Sequence, residues 1–132
     1  MRRDVVALLC AAGLDAMAVE NPCLPGTPDV ECIPGWIELK ILTHWPKVSG
    51  AVKLPKFRPG QRIWLRRRAA AGGSCWLLLR VRSDWLLFEG GYAARMVGHV
   101  SREELYRNAK ATWSSKQNMK EDLPRCLSRL PN

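Results

Sequence analysis

The sequence predicts a β-sheet flanked by helices, α/β or α+β in class. Three observations carry this. Four apolar segments of strand length, 29–33, 36–42, 75–82 and 85–90, lie between turn signals. Stretches with helical character precede, separate and follow the two strand pairs. The chain has 132 residues, 47% apolar and 25% charged. That suits one globular domain and excludes a disordered or collagen-like chain.

The order read is α-β-β-α-β-β-α. The first helix, 4–18, carries Val5, Leu8, Leu9, Ala12 and Ala16 on one face, and Gly13 leaves its end unfixed. Residues 21–28 form a loop punctuated by Pro22, Pro25, Gly26 and Pro28. Strands 29–33 and 36–42 meet at a Pro34-Gly35 turn. The long loop 43–57 is of the kind that is functional or mobile in compact domains. Pro59 opens a helix that runs to about Ala71 and stops at Gly72-Gly73. Segment 75–82, CWLLLRVR, is apolar enough to be central in a sheet, and Ser83-Asp84 turns it into 85–90. Ser101-Arg102-Glu103-Glu104 is a capping-box start for a helix reaching about Trp113. One domain is expected over 1–113, followed by a polar, basic, partly disordered tail over 114–132.

Five cysteines, Cys10, Cys23, Cys32, Cys75 and Cys126, are an odd number with no C-x-x-C spacing. This argues against a zinc site or a disulfide framework and for reduced thiols in a cytosolic protein. The start, Met1-Arg2-Arg3 before an apolar run, faintly resembles a signal peptide. Asp4 interrupts the basic segment and Asp15 closely follows the run, so the stretch reads as a helix. No run reaches 18 apolar residues, so no membrane span is expected.

The chemistry lies in Pro28-Asp29 and Glu38-Leu39-Lys40. Side chains alternate along a strand, so Glu38 and Lys40 share one face while Ile37, Leu39 and Ile41 share the other. An acid and a base on an apolar strand cost desolvation unless they bind something. Asp29 and Glu31 share a face of the preceding strand and meet that pair across the turn. Two or three carboxylates and one ammonium thus fall in one patch. Hard oxygen ligands of this kind suit Mg²⁺, which polarises a phosphate and activates water. A nearby lysine orients that water and stabilises transition-state charge. The competing reading is an ordinary Glu–Lys pair on a surface strand.

The charge balance is 21 Lys+Arg against 12 Asp+Glu, a net +9, which suits a polyanionic partner. Eleven of the cations fall in one acid-free stretch: Lys40, Lys47, Lys53, Lys56, Arg58, Arg62, Arg66, Arg67, Arg68, Arg80 and Arg82. Lys47, Lys53, Lys56, Arg58, Arg62 and Arg66 are the expected phosphate contacts. Trp36, Trp64, Trp76 and Trp85 read as core or dimer-interface residues. Trp45, in the basic loop, is either a base-stacking residue or a local packing anchor. His44 beside it is a weaker candidate for proton donation to the leaving oxygen.

At these residues the chain resembles the PD-(D/E)XK nucleases, through Asp29, Glu38 and Lys40 in PDVECIPGWIELK. It resembles more narrowly the VRR-NUC group and its small stand-alone phage members. That likeness runs from Glu20 to Leu79 through Glu20, Pro28-Asp29, Glu38-x-Lys40, Gln61 and Gly72-Gly73. It implies an α/β restriction-endonuclease-like core with a central mixed sheet. It also implies Mg²⁺-dependent DNA hydrolysis, with Mn²⁺ as substitute, structure-selective cleavage of four-way junctions, and a homodimer. Asp29 and Glu38 would be metal ligands, joined by the Leu39 carbonyl and by Glu20 directly or through water. Lys40 would be the catalytic lysine, and Gln61 would touch the attacking water, the lysine or the scissile phosphate. Otherwise Glu20 is a solvated helix-end residue and Gln61 an exposed helix-start residue. Glu31 departs from the pattern, where an amide is common. The rival functions are a non-catalytic nucleic-acid-binding module and a nuclease that processes DNA ends or flaps. The expected compartment is the cytoplasm, that of the host for a phage protein.

Overall fold

The computed structural model describes residues 1–128. Eleven elements follow in order: α1 (Arg2–Ala11), β1 (Met17–Ala18), β2 (Val30–Cys32), β3 (Gly35–Leu42), α2 (Pro59–Ala70), β4 (Cys75–Val81), β5 (Asp84–Glu89), α3 (Gly90–Met96), α4 (Arg102–Asn108), β6 (Ala111–Trp113) and α5 (Lys116–Ser128). The strands form one six-stranded sheet in sequence order. Only β3 and β4 run parallel, joined by the α2 crossover, and every other pair is antiparallel. The mixed sheet flanked by helices is as read from the sequence.

Both faces of the sheet are covered. On one, Val5, Leu9, Met119 and Leu123 from α1 and α5 pack on Val30, Ile37, Leu78 and Leu87. On the other, Leu65, Ala93 and Leu105 from α2, α3 and α4 pack on Leu77, Leu79, Leu86 and Phe88. This double cover explains why β4 and β5 read as continuous apolar runs.

The seven expected elements are present, and four more appear: β1, α3, β6 and α5. The first helix is shorter than expected. It ends at Ala11 because Gly13 (φ 81°) and Asp15 (φ 49°) turn the chain through left-handed conformations. The chain then pairs Met17 with Glu31. Ser101 caps the helix, its Oγ accepting from Glu104 N at 3.2 Å, which is one half of the expected capping box, and α4 ends at Asn108. Lys110 N donates to Leu87 O at 2.7 Å and draws the chain into the sheet as β6.

The expected tail is a correction. Residues 116–128 form α5 with Pro124 inside it, and Met119, Leu123, Cys126 and Leu127 are buried in the core. Their spacing is helical, so burial rather than polarity decides the segment. The rest of the expected tail, 129–132, lies outside the described residues. The long loop is also tied down. Val52 N donates to Val100 O at 2.8 Å, and the Trp45 indole donates to Asp84 Oδ2 at 2.8 Å. Val52, Leu54 and Phe57 are buried in the core of the α2 face.

Candidate active site

Strand β3 turns Ile37 and Leu39 toward the α1/α5 face, and Trp36, Glu38, Lys40 and Leu42 toward the α2 face. Glu38 and Lys40 are the only buried charged residues among those described. Lys40 Nζ lies 2.9 Å from Glu38 Oε2, with side-chain exposures of 10% and 2%. The ammonium is 5.9 Å from the centre of the Phe57 ring. A doubly covered strand normally excludes charge, because desolvating two ions offsets most of their attraction.

Asp29 joins this pair through register. The pairing of Val30 with Ile37 brings Asp29 level with Glu38. The β2 ladder stops there and leaves the Leu39 N–H without a strand partner on that edge. Asp29 Oδ2 accepts from it at 2.8 Å. The C=O of a strand residue points to the same edge as its N–H, so the Leu39 carbonyl emerges beside Asp29.

Burial pushes the Glu38 carboxyl up to about 8, and the neighbouring Asp29 carboxylate pushes the same way, against the opposing pull of Lys40. Glu38 Oε1 is buried and has no hydrogen-bond partner. A buried carboxylate with an orphaned oxygen beside a second carboxylate calls for a proton or a cation. The donor set of Asp29, Glu38 and the Leu39 carbonyl fits a hard divalent ion that keeps several waters.

The remaining expected site residues make other contacts in this structure. Glu20 follows β1, its side chain is 80% exposed, and it pairs with Arg2 at 3.2 Å. Among the described residues no group of three or more His, Cys, Asp and Glu side chains is gathered for a metal. Gln61 accepts from Arg58 N at 2.9 Å, an N-terminal cap of α2. Glu31, half-buried, is in register with Trp36.

Lys47, Lys53, Lys56, Arg58 and Arg66 are exposed. Arg62 differs. Its guanidinium sits 4.1 Å from the Phe57 ring centre and donates to Phe57 O and Ala94 O at 3.3 Å each. It is a strut between α2 and α3. Trp45 resolves as the packing anchor, with Arg102 4.6 Å over its ring. Sequence reasoning missed Phe57, which lies between the Lys40 and Arg62 cations. The signal was the apolar alternation Val52, Leu54 in an otherwise basic loop.

No family model matches the chain, and no curated protein does. Among solved structures it is similar to Hjc of Archaeoglobus fulgidus, a Holliday junction resolvase from an archaeal hyperthermophile. The identity is 20%, the match covers 81% of this chain and 92% of that one, and the TM-score is 0.52. The shared fold is the restriction-endonuclease-like mixed sheet flanked by helices. Among the described residues no helix is long and apolar enough to cross a membrane.

Proposed function

We propose that this chain is a divalent-metal-dependent DNA endonuclease that acts on branched DNA, four-way junctions above all. The observation that carries the proposal is the buried Glu38–Lys40 pair, with half-buried Asp29 beside it and an orphaned Glu38 oxygen. A carboxylate pair of this kind is costly as structure alone and fits an ion-dependent hydrolase. The likeness of fold to a junction resolvase supports the substrate class. The narrower VRR-NUC reading rests on the sequence elements from Glu20 to Gly73.

Asp29 and Glu38, with the Leu39 carbonyl, would hold Mg²⁺ or Mn²⁺. When bound, the ion polarises the scissile phosphate and makes water easier to deprotonate. Lys40, held by Glu38, points its ammonium into the same space, where it orients the attacking water and offsets charge on the phosphorane-like transition state. Asp29 keeps its geometry through the Leu39 N–H. Exposed Lys47, Lys53, Lys56, Arg58 and Arg66 hold flanking phosphates, a contact that reads shape rather than sequence. Glu20, one of whose oxygens pairs with Arg2, would join the ion directly or through water. Two sites at a fixed spacing suit a two-fold junction, and a C2 homodimer supplies them.

The test is incubation of the purified chain with four-way-junction, flap and linear duplex DNA, in Mg²⁺, Mn²⁺ or EDTA. Asp29→Ala and Lys40→Ala run in parallel. The expected result is metal-dependent cutting of the junction that both variants lose. Cutting in EDTA, or unchanged cutting by both variants, overturns the site. DNA binding without cutting favours the non-catalytic reading, and equal cutting of flaps favours end or flap processing. A monomer at micromolar concentration in solution argues against the paired-site arrangement.

A further inference from the structure

On the α2 face of the protein, a cleft of about 650 Å³ is lined by Leu24, Trp64, Arg67, Arg68, Ala70 and Ala71. Trp64, Arg67, Arg68 and Ala71 recur at helical spacing, so they form one side of α2 and its C-cap. Leu24, 61% exposed, comes from loop 21–28 on the other side. That loop is held against the helix. A Cβ at Gly26 would lie 2.6 Å from Gly60 O, so the two backbones touch. The walls are therefore set before any ligand arrives.

The floor is aromatic and cationic. Trp64 meets Trp36 edge-on, with ring centres 5.3 Å apart and planes at 61°. The Arg68 guanidinium is 4.8 Å from the Trp64 ring centre and 5.8 Å from that of Trp36. Its stem is fixed, since a Cβ at Gly73 would lie 2.5 Å from its Cδ. A planar cation braced on an indole offers a stacking surface for a flat, electron-rich ring. Arg67 adds a second charge at the rim for an attached phosphate.

Position identifies the ring. Trp36 and Glu38 share one face of β3 and are two residues apart, about 7 Å along the strand. A nucleotide whose phosphate lies at Glu38 and Lys40 has a neighbouring base within reach of Trp64. Inside a duplex both faces of a base are covered by its stacked neighbours, so only an unpaired base can enter. We propose that the cleft of Trp64, Arg67 and Arg68 is a stacking subsite for an unpaired nucleobase next to the scissile phosphate. The choice of DNA as partner rests on the nuclease reading above. The base-stacking role that Trp45 gives up to its Asp84 anchor thus falls to Trp64.

The test uses the full-length chain in EDTA and two forked duplexes, one with an unpaired adenine at the branch and one with an abasic site there. Binding is read by fluorescence anisotropy. For the native protein the abasic fork is expected to bind about tenfold more weakly, within the range of one stacked base. In Trp64→Leu that ratio falls to near one, and in Trp64→Phe most of it returns. Thermal melts show which variants are folded. An unchanged ratio in folded Trp64→Leu overturns the subsite. So does a switch of that variant from dimer to monomer with equal loss on both forks, which would make the cleft a contact between copies. Hydrolysis by the native chain in Mn²⁺ is measured separately. Its absence alongside a base-dependent ratio refutes the nuclease and keeps the subsite, while its presence alongside a flat native ratio does the reverse.

Discussion

The Asp29 carboxylate accepts the backbone N–H of Leu39 at 2.8 Å, across ten residues of sequence. The bond fills the place a ladder partner would take if β2 began two residues earlier, at Pro28. It fixes one carboxylate between the end of β2 and the Glu38–Lys40 pair, so charge and backbone geometry can be separated by mutation. Asp29→Asn keeps an acceptor for Leu39 and removes the charge. Cleavage should fall at least a hundredfold, as for loss of one group that stabilises a transition state. Stability should change by less than about 1 kcal/mol. Asp29→Ala should lose the same activity and a further 1–2 kcal/mol for the bond to a charged acceptor. Urea unfolding beside a cleavage assay separates the two effects.

Glu38 makes metal-free stability depend on pH. Its ordinary value is 4.5, and in the fold it is raised to about 8, first by burial and then by Asp29. Between these values the folded protein binds more protons than the unfolded chain. The stabilisation is complete below pH 4.5 and is lost as pH rises toward 8, by at most about 1.4 kcal/mol per unit. In EDTA the unfolding midpoint should therefore drop from pH 5 to pH 8. Glu38→Gln should flatten that slope, and Mn²⁺ should raise the native midpoint most at pH 8. A native slope that Glu38→Gln leaves intact would assign the effect to another group.

Much of this was readable from residues alone, and the failures have physical causes. Glu38 and Lys40 fall together because strand alternation is a local rule, and Asp29 joins them through the register of a two-residue hairpin, Cys32 opposite Gly35. The Glu20–Arg2 pair and the Gln61 bond to the Arg58 backbone are contacts that spacing does not encode, and neither decides the role of those two residues. Helix α3 begins at Gly90-Gly91, residues that usually end helices. A Cβ at Gly90 would collide with Cys75 Sγ, so glycine is there for close packing of α3 on β4. Strand β6 is three residues long and lies beyond a well-capped helix start, so its pairing with Trp85 to Leu87 decides it.

The basic loop is held by Trp45. Its indole donates to Asp84 at 2.8 Å, and its ring packs against both Arg102 and Tyr106, 4.6 Å from the guanidinium and 5.8 Å from the phenol ring. Trp45→Phe keeps the ring contacts and removes the donor. The fold should lose about 1.5 kcal/mol, as for one hydrogen bond to a charged group. Trypsin should cut after Lys47, Lys53 or Lys56 several times faster, because local opening of the loop becomes easier. Equal cutting rates in the two proteins would show that Val52, Leu54 and Phe57 hold the loop without it.

Helix α5 is the test of whether 116–128 belongs to the domain. Leu123 and Met119 are fully buried, and Cys126 and Leu127 nearly so, all in the cluster that α1 shares with Val30, Ile37 and Leu87. Trp113 binds the helix through its indole to Asp122 Oδ2 at 2.9 Å, and Lys116 pairs with Asp4 of α1 at 2.7 Å. The second contact is exposed and contributes little. The apolar contacts decide the outcome, because they cover the sheet face opposite the active strand's charged side. Leu123→Ala should cost about 2–5 kcal/mol, the range for a large-to-small change at a buried site. Lys116→Ala should cost under 1 kcal/mol. A chain ending at Trp113 would expose Trp85, Leu87 and Leu9 together, and should show no cooperative unfolding transition by circular dichroism. A truncated chain that melts cooperatively and still cleaves DNA would make α5 a separable addition to the domain.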